Sequence, residues 1–253
     1  MNIVTSIAEW QIIRKKIQHK SIGFVHTMGH LHRGHLSLCA NAQAENDITV
    51  VAIFINPTQF NQNEDFAGYP RTLEEDKALL IKQKVNYLLL FDQHTIYPDD
   101  YQIQVHDVSE LSQLLEGSFR PGHFTGMLTA VLKFLNIVKP TRSYYGEKDY
   151  QQLLLIKKMA QVLFLDTEII GCPTVRAEDG LALSSRNSRL TSEQREKVSC
   201  FPAMLQKAAS PEAVVNELEA LGFKVDYVAD LWDRRLAAVW LANIRLIDNK
   251  LKI

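Results

Sequence analysis

The sequence predicts an α/β protein, with a parallel sheet and interleaved helices over the first two thirds and a smaller α+β region after it. Three observations carry this expectation. Strand-like and helix-like stretches alternate, with helices of about 10–15 residues between strands, which is the pattern of βαβ units. The strand-like stretches are continuous apolar runs, as in Ile48–Ile55, and such runs fit strands buried on both faces. After Pro173 the order changes to helices followed by strands. The expected division is residues 1–173 and 174–253, consistent with about 100–200 residues per domain.

The elements follow in order along the chain. Ile22–His26 is a short apolar run that ends in Thr27-Met28-Gly29, and a helix begins near Gly34-His35 and continues over Leu36–Ala44. Ile48–Ile55 is the next strand, ended by Asn56-Pro57. Thr72-Leu73-Glu74-Glu75 has the form of a capping box and opens a helix reaching Lys84. Tyr87–Phe91 is a strand closed by Asp92, and Tyr101–Val105 alternates weakly enough to read as a short strand. Phe124–Val138 reads as a helix stopped by Lys139-Pro140, because a residue before proline is pushed out of the helical region. Ser143–Tyr145, Asp149–Leu165 and Thr167–Gly171 read as strand, helix and strand. In the second region, Thr191-Ser192-Glu193-Gln194 is another capping box, for a helix reaching Lys207. Ser210-Pro211-Glu212 starts a helix that stops at Gly222, and Phe223–Ala229 and Leu236–Leu246 read as strands.

Composition narrows the function classes. Hydrophobic content of 46% and charged content of 23% are those of an ordinary globular protein. The formal charge of -1 gives no global basic field, so nucleic acid is not an expected partner and any anion site must be local. Cys39, Cys172 and Cys200 are far apart and in no paired motif, which predicts reduced thiols in a cytoplasmic protein. The opening MNIVTSIAEWQIIRKK lacks the pattern of a signal peptide. The longest apolar runs are too short to span a membrane, so no membrane partner is expected.

The polar signatures collect after the strands. Thr27-Met28-Gly29-His30-Leu31-His32-Arg33-Gly34-His35 follows the first, Asn56-Pro57-Thr58-Gln59-Phe60 the second, Asp92 the third, and Gly146-Glu147-Lys148-Asp149 the one at Ser143. In an open parallel sheet ligands bind beyond the carboxyl ends of the strands, so these loops would face one crevice. His35, in the first turn of a helix, would sit where unpaired N–H groups and the helix dipole favour an anion. His32 and His35 could donate to phosphate oxygens, and Lys148 could place a compact charge there. The same histidines also admit a purely structural role or zinc ligation, although no Cys or carboxylate completes a recognised spacing. There is no GxxxxGK[ST] and no GxGxxG. Asp149 and Gln152 have the spacing of an N-cap and its reciprocal partner. Leu183-Ser184-Ser185-Arg186-Asn187 offers hydroxyl and guanidinium donors in an expected flexible loop after Gly180, or an ordinary turn.

Taken together these residues resemble the pantothenate synthetase (pantoate–β-alanine ligase) family, within the HxGH nucleotidylyltransferases. The matching stretches are collinear: Thr27-Met28-Gly29, Leu31-His32, Gly34-His35, FINPTQFNQNEDFAGYPRTLEED from Phe54 to Asp76, EGSFRPGHFTG from Glu116, LNIVKP from Leu135, YGEKDYQQ from Tyr145, DGLALSSRN from Asp179 and RLIDN from Arg245. The resemblance implies a Rossmann-like domain binding ATP and pantoate, a smaller C-terminal lid domain, and a homodimer. It implies ATP-dependent condensation of pantoate with β-alanine through a pantoyl-adenylate, with Mg²⁺ accompanying ATP. Carried over, Met28, Gly29, His30, Leu31, His32, Arg33, Gly34 and His35 line the ATP site, with His35 as proton donor. Gly146, Glu147, Lys148, Asp149, Val175, Leu183, Ser184, Ser185 and Arg186 complete it, and His35, His32, Lys148 and Arg186 are the catalytic set. Gln59 and Gln152 hold pantoate, and Gln59 also meets β-alanine. Transfer of an adenylyl group to another cofactor precursor is the alternative. Two residues depart from the family pattern: His26 stands where proline is usual, and His30 where a small residue is common. The C-terminal region is also shorter than usual.

Overall fold

The computed structural model describes residues 1–60 and 66–252 of the chain. Residues 61–65, the NQNED of the long matching stretch, lie outside the described residues. The chain divides into two compact units, Met1–Gly146 with Gln151–Cys172, and Glu147–Tyr150 with Pro173–Ile253.

The first unit is built on six strands: β1 (Asn2–Val4), β2 (Ile22–Thr27), β3 (Ile48–Ile53), β4 (Tyr87–Leu89), β5 (Arg142–Gly146) and β6 (Glu168–Cys172). Their order in the sheet is β1-β4-β3-β2-β5-β6, and every neighbouring pair is parallel. The longer helices are α1 (Ile7–Lys16), α2 (Arg33–Glu45), α3 (Leu73–Lys82), α4 (His123–Val138) and α5 (Tyr150–Val162). From β2 the chain moves through β3 to β4 on one side, and β5 and β6 lie on the other, so the direction of winding reverses between β2 and β5. β2 stays paired with β3 as far as Thr27↔Ile53, but with β5 only at Gly23↔Arg142 and Phe24↔Ser143. Beyond Phe24 β2 and β5 are no longer paired, and it is at such a switch point that ligands bind in open α/β sheets.

Alternation along β2 sends neighbouring side chains to opposite faces. Val25 joins Leu38, Cys39 and Ala42 of α2, and Leu80 of α3, in one buried cluster. Phe24 packs on the other face against Phe134 of α4, which also meets Phe54 and Phe91. Each such fully buried aromatic or aliphatic side chain contributes about 1.5–3 kcal/mol. α1 is tied to α4 by the indole of Trp10, which donates to the carbonyl of Ile137 at 3.0 Å.

The second unit carries a three-stranded antiparallel sheet, β7 (Lys224–Leu231), β8 (Arg234–Leu241) and β9 (Ile244–Leu251). α6 (Ser192–Val198), α7 (Phe201–Met204) and α8 (Pro211–Ala220) accompany it. Its core joins Val198, Phe201, Val214, Leu218 and Phe223 to Ala237, Val239, Ile244 and Leu246 of the sheet.

Several local expectations are corrected. Residues 101–105 form no strand: Asp100 and Tyr101 have positive φ, and the N–H groups of Ile103 and Val105 donate to the Asp99 carboxylate and the Thr129 hydroxyl. Thr72 makes no side-chain cap to α3, because its hydroxyl is engaged by Asp76 and His30. The helix expected to reach Lys207 is broken into α6 and α7, with Pro202 at the start of the second piece. Leu236–Leu246 is two strands, β8 and β9, turned at Ala242 with φ 52°. β1 and α1 were not anticipated, although Ser6-Ile7-Ala8-Glu9 carries the signal: the Ser6 hydroxyl caps the Glu9 N–H at 3.2 Å.

Candidate active site

The loop between β2 and α2 is closed by three devices. The Thr27 hydroxyl accepts from the Gly29 N–H at 3.1 Å. Gly29 has φ +80°, and a Cβ there would also crowd the Asp76 carboxylate at 3.0 Å, so glycine is required twice over. The carboxylate of Asp76, 2% exposed on α3, accepts from the N–H groups of His30 at 2.9 Å and Leu31 at 2.7 Å. Sequence reasoning gave Asp76 no role beyond ending a matching stretch, because its partners lie 45 and 46 residues away.

α2 begins one residue after His32, slightly earlier than expected, and places His35 at the third helical position. His32 is the N-cap. Its Nδ1 accepts from the Gly34 N–H at 3.1 Å, and His35 Nδ1 accepts from the His32 N–H at 3.4 Å. This is a capping box written in imidazoles. A neutral ring whose Nδ1 accepts carries its proton on Nε2, so both rings become Nε2–H donors at the start of a helix. The rings stack with centroids 4.0 Å apart. Arg33 is exposed. His30 has φ 49°, and its Nδ1 lies 3.2 Å from the Thr72 hydroxyl.

On the β3 side, Asn56 is fully buried and governs the turn Pro57–Gln59. Its carboxamide donates to the Gly126 carbonyl of α4 and to Gln59 Oε1, both at 3.1 Å, and accepts from the hydroxyls of Thr58 and Tyr97, both at 2.9 Å. A Cβ at Gly126 would sit 2.3 Å from the Thr58 carbonyl oxygen, so α4 can approach this turn only with glycine there. Gln59 is thereby oriented with its Nε2 donating to Met28 Sδ at 3.0 Å. A thioether is a weak acceptor, so this donor is easily surrendered to a ligand oxygen. The Gln59 carbonyl accepts from His123 Nδ1 at 2.8 Å and from the Arg120 guanidinium at 3.2 Å. Asn56, Arg120 and His123 lie in the matching stretches, but nothing in their spacing indicated these partners. A cavity of about 440 Å³ opens beside the loop, lined by Met28, Gly29, His30, Phe54, Thr72 and Asp92 among others.

Of the adjacent glutamines at the start of α5, Gln151 is 3% exposed and committed to structure, donating to the carbonyls of Leu111 and Leu114 at 2.7 and 2.8 Å. Gln152 is half-buried and makes no side-chain hydrogen bond among the described residues. The Asp149–Gln152 capping arrangement does not form. Glu147–Asp149 is a short 3-10 turn running into α5, and Asp149 instead lies 3.6 Å from the Lys148 ammonium. β5 ends at Gly146, where an added Cβ would meet nothing within 4 Å.

In the second unit, Val175 and Leu183 face each other across a hairpin, the Leu183 N–H donating to the Val175 carbonyl at 3.0 Å. Gly180, φ +85°, turns it. The residues expected to form a flexible loop, Ser184 to Arg186, enter a 3-10 turn at Ser185–Arg189, with the Ser184 hydroxyl capping the Arg186 N–H at 3.3 Å. This turn and the one at Glu147–Asp149 both pack on β9, so Lys148 and Arg186 are carried on the same strand.

His26 stands apart from the other histidines of the loop. Its ring lies 4.4 Å from that of Phe134, on the α4 face, and its Nε2 is buried without a hydrogen-bond partner among the described residues. Burial lowers its pKa to about 4. With the Nδ1 atoms of His32 and His35 taken by backbone N–H groups, the loop histidines do not converge as zinc ligands. Among the described residues no group of three or more His, Cys, Asp or Glu could hold a metal ion.

Residues 2–251 match the family model described as pantoate-beta-alanine ligase. The chain is 49% identical to a pantothenate synthetase of Coxiella burnetii over 98% of its own length and 95% of the relative's. It is 48% identical to one of Legionella pneumophila, covering 99% of this chain and 100% of the relative, so the length of the C-terminal region is shared. Among solved structures, the pantoate-beta-alanine ligase of Francisella tularensis, complexed with beta-gamma ATP and beta-alanine, superposes with a TM-score of 0.96. It is 43% identical and is covered over 97% of its length by 99% of this chain. The pantothenate synthetase of Thermus thermophilus gives a TM-score of 0.90 at 38% identity, over 99% of both chains. With the histidine-capped helix at the switch point and a family match over nearly its whole length, this chain belongs to the pantoate–β-alanine ligase family.

Proposed function

We propose that the chain condenses (R)-pantoate with β-alanine in an ATP-dependent reaction that releases AMP and pyrophosphate. The pantoate carboxylate attacks the α-phosphorus and pyrophosphate leaves. The amine of β-alanine then attacks the acyl carbon of the pantoyl-adenylate and AMP leaves. The substrate carboxylate is the nucleophile, so the protein's work is positioning and charge stabilisation.

The observation that carries this reading is the start of α2. Two imidazoles, each with Nδ1 accepting from backbone N–H, carry their Nε2 protons at a helix N-terminus beside the switch point, an arrangement suited to phosphate. In this reading His35 and His32 donate to the phosphates, and Lys148 and Arg186 offset their charge. Met28–His35, Gly146–Asp149, Val175 and Leu183–Arg186 contact the nucleotide. Gln59 and Gln152 hold pantoate through neutral hydrogen bonds, which leaves the attacking carboxylate free of a strong ion pair. Mg²⁺ enters as part of the Mg-ATP substrate, whose phosphates supply most of its ligands. The resemblance further implies a homodimer in the cytoplasm, and light scattering on the purified chain checks the dimer. No helix among the described residues is long and apolar enough to cross a membrane.

The test is production of AMP and pantothenate from pantoate, β-alanine and Mg-ATP, with each substrate omitted in turn. Exchange of pyrophosphate into ATP should require pantoate but not β-alanine; exchange without pantoate would favour adenylyl transfer to another precursor. His35→Ala should slow adenylation by about 10²–10³, the usual loss of one preorganised donor. Near-full pantoyl-adenylate formation by that variant would remove His35 from the role.

A further inference from the structure

The turn that carries Lys148 is also held from a strand far along the chain. Asn249 of β9, 2% exposed, donates from Nδ2 to the Glu147 carbonyl at 2.8 Å and to the Lys148 carbonyl at 2.9 Å. Its Oδ1 accepts from the Arg234 guanidinium at 2.8 Å. Arg234 also binds the Glu147 carboxylate at 2.7 Å and lies 4.1 Å over the Tyr150 ring. Asn249 is itself fixed: its N–H donates to Asp248 Oδ1 at 2.7 Å and its carbonyl accepts from Arg176 at 3.0 Å. Arg176 in turn grips the Asp248 carboxylate in a fork at 2.7 and 2.9 Å. Charged, forked contacts of this kind fix direction as well as distance.

We propose that Asn249 is a positioning residue for adenylation, its carboxamide clamping the Glu147 and Lys148 carbonyls so that the Lys148 ammonium is delivered in one fixed place. A carboxamide is the group this requires. Both protons of one nitrogen serve two successive carbonyls while its oxygen satisfies Arg234, so each hydrogen-bonding function matches its partner. A carboxylate of the same shape would set oxygen against two carbonyl oxygens. A misplacement of about 1 Å at a reacting group costs on the order of 10²-fold in rate, so the clamp acts on catalysis without touching substrate.

The inference rests on the phosphate role given to Lys148, and a double-mutant cycle separates the two. Pantoate-dependent pyrophosphate exchange is measured for the wild type, Lys148→Ala, Asn249→Asp and the double variant, with melting temperatures recorded alongside. Asn249→Asp should lower the exchange rate by about 10–100-fold with little change in the pantoate KM. In the Lys148→Ala background the same change should cost less than about threefold, because nothing is left to position. Losses that multiply would overturn the clamp and leave Lys148 in its role, as would a wild-type rate in Asn249→Asp. A wild-type rate in Lys148→Ala would overturn the lysine's role and the clamp with it. If Asn249→Asp does not fold, Arg234→Gln loosens the same turn from its other side, and its loss should likewise vanish in the Lys148→Ala background.

Discussion

The turn at Met28–His32 and the turn at Glu147–Asp149 both carry groups assigned to the nucleotide, yet they are built differently. The first is closed largely by its own residues, with Thr27 bonded to Gly29, His32 to Gly34 and His35 to His32. One buried anchor, Asp76, comes from 45 and 46 residues away. The second is a short 3-10 turn whose own side chains add the Lys148–Asp149 pair. Its carbonyls are held by an amide 101 and 102 residues further on. A turn closed by near neighbours forms as soon as its helix does. A turn whose carbonyls are bound by a distant strand gains that restraint only when the strand is folded, so the three-stranded sheet of the second unit helps to fix the position of Lys148.

Variants of the first turn sharpen this contrast. The largest effect should come from Asp76→Ala, which leaves two N–H groups without their acceptor at a cost of about 2–5 kcal/mol. Urea unfolding reads this directly, and a loss below about 1 kcal/mol would mean that the turn holds without its distant anchor. Acid comes next, through His26. The unfolded chain takes up a proton on this ring as pH falls through 6.5, whereas the folded chain does so only near 4. Unfolding therefore gains from protonation in that window, and stability is present above pH 6.5 and lost as pH falls toward 4. Relative to His26→Phe, the wild type should lose up to roughly 3 kcal/mol between those values. Parallel pH–stability curves for the two proteins would show that the ring titrates normally. The smallest effect is His32→Ala, about 1 kcal/mol for the lost cap. His32→Asn should restore that stability, since asparagine caps well, while adenylation stays slow in both. Recovery of activity in His32→Asn would reduce His32 to a cap.

How far the sequence could be read depended on the range of each interaction. The apolar run at Ile48–Ile53 was legible because burial on both faces of a parallel sheet leaves a continuous signal, and the helix over His123–Val138 because its apolar run is stopped at Lys139-Pro140. The capping box at Thr191 and Gln194 formed as its spacing implied. The one at Thr72 did not, since a buried carboxylate and His30 compete for the same hydroxyl. β9 was hidden by a hairpin turned at Ala242, without the glycine that usually marks positive φ. Gln151 and Gln152 are indistinguishable by type, and only packing assigns the first to structure.

By itself the sequence determined the α/β class, the family, and the clustering of histidines and Gln59 in the loops after β2 and β3. These follow from periodicity and from short motifs, whose interactions span a few residues. The tertiary structure alone decided where the sheet reverses. It also decided that Asp76, Asn56 and Asn249 hold the turns. Each of those three is a buried polar side chain paired with groups far away in sequence, and burial leaves such a group no choice but to find its partner.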